Sequence, residues 1–201
     1  MMCTFTFVDA SQPILFGKII YVDPGHGGND PGAIYKNLKE SNINLEISKN
    51  IKEELEKNGA IVYLTRNGDY DLSKNNTSNH KKNDLSNRAK IINESDCDLF
   101  ISIHLNSDPS PTWNGTQIFY TNKNENNKKI AEALQKKINT KRKIKEIENM
   151  YLFDRIRKPG VLIEVGFISN PNDRYKLTNK EYQTEISKKI TEGIIEYLQK
   201  T

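Results

Sequence analysis

Short apolar runs alternate along this chain with stretches of helical spacing, and that alternation limits the folds open to it. From Glu40 to Asn58, Ile43, Ile47, Ile51 and Leu55 recur at every fourth position with lysine and glutamate opposite, and Asn58-Gly59 supplies a stop. The spacing predicts an amphipathic helix. The flanking runs, Lys18 to Tyr21 and Ala60 to Thr65, are too short for helices and read as buried strands. The pairing returns downstream, where Leu85, Ala89 and Ile92 predict a helix over Asp84 to Asn93, followed by a strand over Leu99 to Ile103. A parallel neighbour needs a long crossover, so repeated strand-helix-strand units imply an α/β fold around a parallel sheet. Gly115 to Thr121 then alternates like a strand, Asn127 to Asn139 reads as helix and Val161 to Val165 as a short apolar run. Glu181 to Gln199 carries Ile186, Ile190, Ile194 and Leu198 for a closing helix. Nothing repeats internally.

A chain of 201 residues fits one domain burying about 70% of its unfolded surface. We place that domain at residues 18–201 and treat 1–17 as an N-terminal extension. The extension holds Phe5, Phe7, Ile14, Leu15 and Phe16 but no apolar stretch long enough for a signal peptide, so the expectation is that any export segment is absent or removed. No membrane span is present in the sequence. The net charge of +4 is mild, and the lysines are interspersed with glutamates along helical stretches. Such a surface argues against nucleic acid and suits an anionic polymer outside the cell. Cys3 and Cys97 make no disulfide framework and read as free thiols. Asn67 to Asn83, rich in Asn, Ser and Lys, reads as a mobile rim with a solvated His80 inside it.

Chemistry concentrates at four places. In Val22-Asp23-Pro24-Gly25-His26-Gly27-Gly28, glycines surround one imidazole just past a strand, where a ligand can approach closely. His104 closes the strand that starts at Leu99, and Glu40 opens the first helix. Parallel sheets put their binding crevices beyond the carboxyl ends of strands. Two histidines and one carboxylate form a recurrent catalytic zinc set, with the fourth position left to water. The alternative is that Glu40 favours the helix dipole while the histidines are ordinary hydrogen-bonded loop residues. Glu164 lies inside the apolar run Val161 to Phe167, where a carboxylate is costly unless paired or working. It is either a buried partner for an arginine such as Arg88 or Arg174, or a general base beside a metal.

Five motifs carry a resemblance in sequence order. They are residues 22–28 with Gly32-Ala33, Lys39-Glu40, Leu64-Thr65-Arg66, the run from Leu99 to Ser107, and Glu164-Val165-Gly166-Phe167-Ile168-Ser169-Asn170. From about Lys18 to Tyr197 the chain resembles the zinc-dependent N-acetylmuramoyl-L-alanine amidases of the amidase-3 family. The resemblance implies a single α/β domain with a six-stranded, mostly parallel mixed sheet and helices on both faces. It also implies one zinc ion per chain on His26, Glu40 and His104, with Glu164 as the catalytic glutamate.

The implied reaction cleaves the amide between the lactyl group of N-acetylmuramic acid and L-alanine of the stem peptide. Asn106, Arg155, Arg157 and Lys158 are candidates for substrate contacts, the basic ones through stem-peptide carboxylates. In size the chain resembles the germination-specific amidases of spore formers, which act in making muramic-δ-lactam in the spore cortex. That resemblance implies an exported enzyme of the cell envelope or forespore cortex. With no room for a wall-binding module after Gln199, the expectation is an activating protein partner that favours the metal-bound form. The rivals are another zinc-dependent amide hydrolase and a non-catalytic peptidoglycan-binding module.

Overall fold

Strand and helix alternate in the structure, a computed structural model that describes residues 12–74 and 78–200. In chain order the elements are β1 (Ile19–Pro24), β2 (Ile34–Tyr35), β3 (Leu38–Lys39), α1 (Glu40–Lys57), β4 (Ile61–Leu64), α2 (His80–Glu94) and β5 (Leu99–Asn106). There follow β6 (Gln117–Tyr120), α3 (Glu125–Ile138), β7 (Lys145–Glu146), β8 (Gly160–Phe167), α4 (Pro171–Leu177) and α5 (Lys180–Leu198). Six strands form one sheet in the order β4-β1-β5-β8-β6-β7, and β2 pairs with β3 in a small hairpin. β4, β1, β5 and β8 run parallel; β6 is antiparallel to β8, and β7 is parallel to β6. This is the mixed, mostly parallel sheet that was expected.

Alternation along each strand divides the molecule into two faces. On one side Ile20, Val22, Leu99, Ile101, Ile103, Val161, Ile163 and Val165 form the main core with the apolar stripes of α1, α3 and α5. Ile47, Ile51 and Leu55 of α1 are fully buried there. Burying each contributes roughly 1.5–3 kcal/mol, which fixes α1 against the sheet and with it the position of Glu40 at its first residue. On the other side Phe100 and Leu162 pack with Ala89 and Ile92 of α2 and with Leu152, Phe153 and Ile156. This second cluster is smaller and gives way to polar side chains toward the carboxyl ends of the strands. There Asp23 pairs in register with Ser102, and His104 with Glu164, which itself pairs with Gln117.

Several expectations shift. The helix expected from Asp84 begins at His80, because Asn79 caps it by accepting a hydrogen bond from Lys82 N–H. His80 is therefore a helical residue, its Nδ1 3.1 Å from Ser73 Oγ. The segment before it is no loose rim where it is described. Gly28 N–H donates to Asp69, Asn29 N–H to Asp71, Leu72 N–H to Asp84 and Lys74 N–H to Asn83. Its polar side chains cannot pack a core, but they satisfy backbone groups across the turn. Leu15 is buried in the main core and its N–H donates to Asn58 O, so the domain body begins before residue 18. Residues 1–11, including Cys3, lie outside the described residues, and Cys97 is a buried free thiol. Among the described residues no helix is long and apolar enough to cross a membrane.

Candidate metal centre

The loop after β1 is built around His26. Gly25 N–H continues the strand pairing by donating to Ile103 O, and the chain then turns with His26 at φ 62°, in the left-handed region. A non-glycine residue there is strained by about 1–3 kcal/mol, so the surroundings must impose it. Two buried guanidinium groups do so. Arg66 donates to Pro24 O (2.9 Å), Gly25 O (2.9 Å) and Ser41 O (2.8 Å), tying the loop to the start of α1. Arg88 of α2 donates to Pro24 O (2.8 Å) and His26 O (2.6 Å). Asp23 and Asp84 balance Arg88 at 2.8 and 2.9 Å, and Asp23 also accepts from Thr65 and Ser102. Complete burial works against the Asp23 carboxylate, but Arg88 and the two hydroxyls outweigh it and hold its pKa below the ordinary value. The conformation needs glycine at 25, where a Cβ would lie 2.2 Å from the His104 ring.

Three expected ligands converge on one point. Glu40 Oε1 lies 3.1 Å from His26 Nε2 and 3.0 Å from His104 Nδ1, and also accepts from Leu105 N–H at 3.0 Å. Its Oε2 accepts from Ala33 N–H at 2.8 Å. The His26 and His104 rings stand edge to face with centroids 4.8 Å apart. One ligand atom from each residue fits within 4.8 Å of the other two. Burial opposes the Glu40 charge, yet the bonds to His104 and His26 win and hold its pKa far below the carboxylate range. His26 Nδ1 meets Asp30 Oδ2 at 2.9 Å; Glu40 and Asp30 overcome the burial of His26 and raise its pKa. A carboxylate on the far nitrogen fixes ring orientation and tautomer, as around protein metal sites.

Glu164 is next to His104 across the β5–β8 pairing, just before the ladder slips at a bulge. Neither arginine considered for it is its partner. Arg88 is engaged with Asp23 and Asp84, while Arg174 donates to Ile168 O and stacks on Tyr35. Glu164 Oε2 is buried with no hydrogen-bond partner among the described residues. Burial pushes the carboxyl pKa up to about 7, Glu40 adding to the shift and His104 and His26 opposing it. A carboxyl group with a pKa there exchanges protons near neutrality.

His26, His104 and Glu164 line a cavity of about 260 Å³ together with the apolar Met150, Leu152 and Phe153. The other expected contact residues are elsewhere. Asn106 ends β5, its carbonyl accepting from Ile168 N–H. Arg155 is exposed, stacked 3.4 Å from the Tyr151 ring centroid, and Arg157 is exposed with its N–H on Asn93 Oδ1. None of these three lines the cavity, and neither does Lys158. Sequence reasoning missed Arg66, Arg88 and Asp23 as supports of the His26 loop. The available signal was three charged residues next to apolar runs.

Residues 20–196 match the profile of the family described as N-acetylmuramoyl-L-alanine amidase. The chain belongs to this family. Over 191 residues it is 44% identical to the germination-specific N-acetylmuramoyl-L-alanine amidase of Bacillus subtilis (strain 168), spanning 91% of this chain and 81% of that relative. The amidase LytC of the same organism is 32% identical over 187 residues, which are 90% of this chain and 36% of LytC. Among solved structures, the CwlD amidase from Clostridioides difficile, determined in complex with the GerS lipoprotein, matches with a TM-score of 0.87 and 35% identity. That match covers 92% of this chain and 100% of the other. The catalytic domain of CwlV from Bacillus (Paenibacillus) polymyxa var. colistinus matches with a TM-score of 0.79 and 28% identity, covering 90% of this chain and 98% of that domain. An N-acetylmuramoyl-L-alanine amidase hydrolyses the bond between the muramic-acid lactyl group and L-alanine, a peptidoglycan linkage.

Proposed function

We propose that the protein performs this hydrolysis with a zinc ion held by His26, Glu40 and His104 and with Glu164 as its proton-transfer group. The donor set suits zinc in type and spacing. Ligand atoms on a tetrahedral zinc with bonds of about 2.0 Å lie roughly 3.3 Å apart; the Glu40–His pairs are 3.0 and 3.1 Å apart, and all three ligand atoms lie within 4.8 Å of one another. A zinc ion bound there supplies a Lewis acid for the scissile carbonyl and an acidified water. Asp30 orients His26, and the Arg66 and Arg88 bonds keep its loop in the required conformation. Glu164 takes the proton that the attacking water loses and returns it to the alanine nitrogen as the C–N bond breaks. The products are a glycan bearing a free lactyl carboxylate and a peptide with a free L-alanine amine.

The observation that carries this reading is Glu164, a carboxyl group with an unpaired oxygen and a raised pKa beside a His-Glu-His cluster. A binding module has no use for such a group. The test is digestion of defined peptidoglycan by zinc-loaded protein with products identified by mass. A new L-alanine amine supports the reading, and a new terminus elsewhere in the peptide marks a peptidase. Its 44% identity to a germination-specific amidase supports action on spore cortex peptidoglycan, outside the cytoplasm. The related CwlD was solved with the GerS lipoprotein, and we extend to this chain a protein partner that favours its metal-bound form.

A further inference from the structure

The basic residues expected to meet stem-peptide carboxylates are not in the cleft, but another cation is. Lys81, in the first turn of α2, lines the cavity that holds His26, His104 and Glu164. It also lines a second cavity of about 230 Å³, formed with Asn29, Asp71 and His80, which shares Asp30 and Asp84 with the first. Lys81 therefore stands where the two spaces meet. The second cavity is lined by none of the apolar residues Met150, Leu152 and Phe153 that line the first.

The neighbouring charges are already engaged. Asp30 is held by His26 Nδ1 and Gly32 N–H, Asp84 by Arg88 and Leu72 N–H, and Asp71 by Ser73 and Asn29 N–H. Arg88, the other cation lining the first cavity, is committed to Asp23 and Asp84. Lys81 is exposed and forms no ion pair among the described residues; it acts only at longer range on Asp30, whose charge His26 and Gly32 N–H already hold. The first turn of α2 contains His80, Lys81 and Lys82 and no acidic residue. A helix N-terminus disfavours cations, so this placement is locally unfavourable and is relieved by an anion docked beside it.

We propose that Lys81 binds a carboxylate on the peptide side of the scissile amide, the one carried by the residue after L-alanine. It thereby makes the enzyme selective for stem peptides in which that group is free rather than amidated. The proposal rests on the amidase reading above. It runs the substrate from the metal cluster toward the start of α2, with the apolar wall facing the uncharged lactyl and alanine groups. A lysine ammonium meets a carboxylate through a charge-assisted hydrogen bond, and the exposure of Lys81 limits the gain to about tenfold in selectivity.

The experiment uses the zinc-loaded full chain and two N-acetylmuramoyl tripeptides that differ only in whether the second residue's α-carboxyl is free or amidated. We expect the wild type to favour the free acid about tenfold in kcat/KM, through KM. Lys81→Met should bring the ratio to about one, Lys81→Arg should keep a preference, and raised salt should shrink it. A wild type without preference, or a Lys81→Met variant that slows on both substrates alike, overturns the Lys81 assignment and leaves the amidase reading standing. Release of an alanine amine from neither substrate by the wild type overturns that reading and the Lys81 proposal with it.

Discussion

Glu164 occupies a position that a purely structural residue would fill with an apolar side chain. Its neighbours along β8 are Ile163 and Val165, both buried, and its Oε2 has no partner. We predict that Glu164→Gln retains zinc and the fold but lowers turnover by roughly 10²-fold or more, because the isosteric amide cannot accept the proton. Turnover assayed with metal content measured on the same sample checks this, and near-normal rates would remove Glu164 from the mechanism. The raised pKa has a second consequence in chelator-treated protein. Between its ordinary value of 4.5 and about 7, the folded state keeps a proton that the unfolded state has released. Stability therefore falls as pH rises through that window, by up to about 3 kcal/mol, and by less where water enters the cavity. His26, whose pKa is also raised, loses its contribution in the same direction as pH rises. Denaturant titrations at pH 5 and pH 8 should show the fall in the wild type and a shallower one in Glu164→Gln; equal slopes would mean that Glu164 is not protonated in the folded chain. His26, His104 and Glu164 were legible in the sequence because each follows or interrupts an apolar strand run, and Glu40 because it opens a helical pattern. Lys81 was not, because its helix begins four residues before its periodicity becomes visible.

Helix α2 links the His26 loop to the sheet through charge more than through apolar contact. It buries Ala89 and Ile92, and on the same face Arg88 with Asp84. Arg88 joins α2 to the end of β1 through Asp23 and to the His26 carbonyl. We predict that Asp23→Ala destabilises the protein by about 3–5 kcal/mol, since it leaves a buried guanidinium with one partner fewer and two hydroxyls without their acceptor. Ser102→Ala should cost only about 1 kcal/mol. Urea titrations give both numbers, and equal costs would show that the charge pair adds nothing beyond a hydrogen bond. The long elements were legible because burial on one face writes itself into spacing, as Ile43, Ile47, Ile51 and Leu55 show. The two-residue strands β2, β3 and β7 were not, because a ladder that short leaves no period. Residues alone implied a parallel sheet, and only the family resemblance implied a mixed one. The reversal at β6 depends on its pairing with β8, a contact between distant segments that no local pattern encodes. Helix α4 did leave a signal that was passed over, Asn170 capping a helix whose first residue is Pro171.

Across the whole molecule, the cluster joins three segments distant in sequence: the loop after β1, the start of α1 and the end of β5. None of these holds the geometry alone, so binding of the proposed zinc would be linked to folding. A ligand that binds only the folded chain adds about 2.7 kcal/mol of stability at a free concentration one hundred times its Kd. We predict that zinc raises the unfolding midpoint of the isolated chain, and that His26→Ala or His104→Ala abolishes the rise along with activity because two remaining ligands hold zinc poorly. Full zinc occupancy in either variant after dialysis would mean that the ligand set is wrong. The same linkage decides the question of a partner. His26 is in a strained backbone conformation, so any opening of its loop would compete with metal binding. A protein that docks only on the closed form lowers the population of the open one and so tightens zinc by the factor by which zinc tightens the docking. The isolated chain should therefore show a modest zinc-induced shift and slow wall hydrolysis, both increased when the partner is added. Tight zinc binding and rapid hydrolysis by the chain alone would show that Arg66, Arg88 and the α1 packing already hold the site closed, leaving a partner nothing to supply.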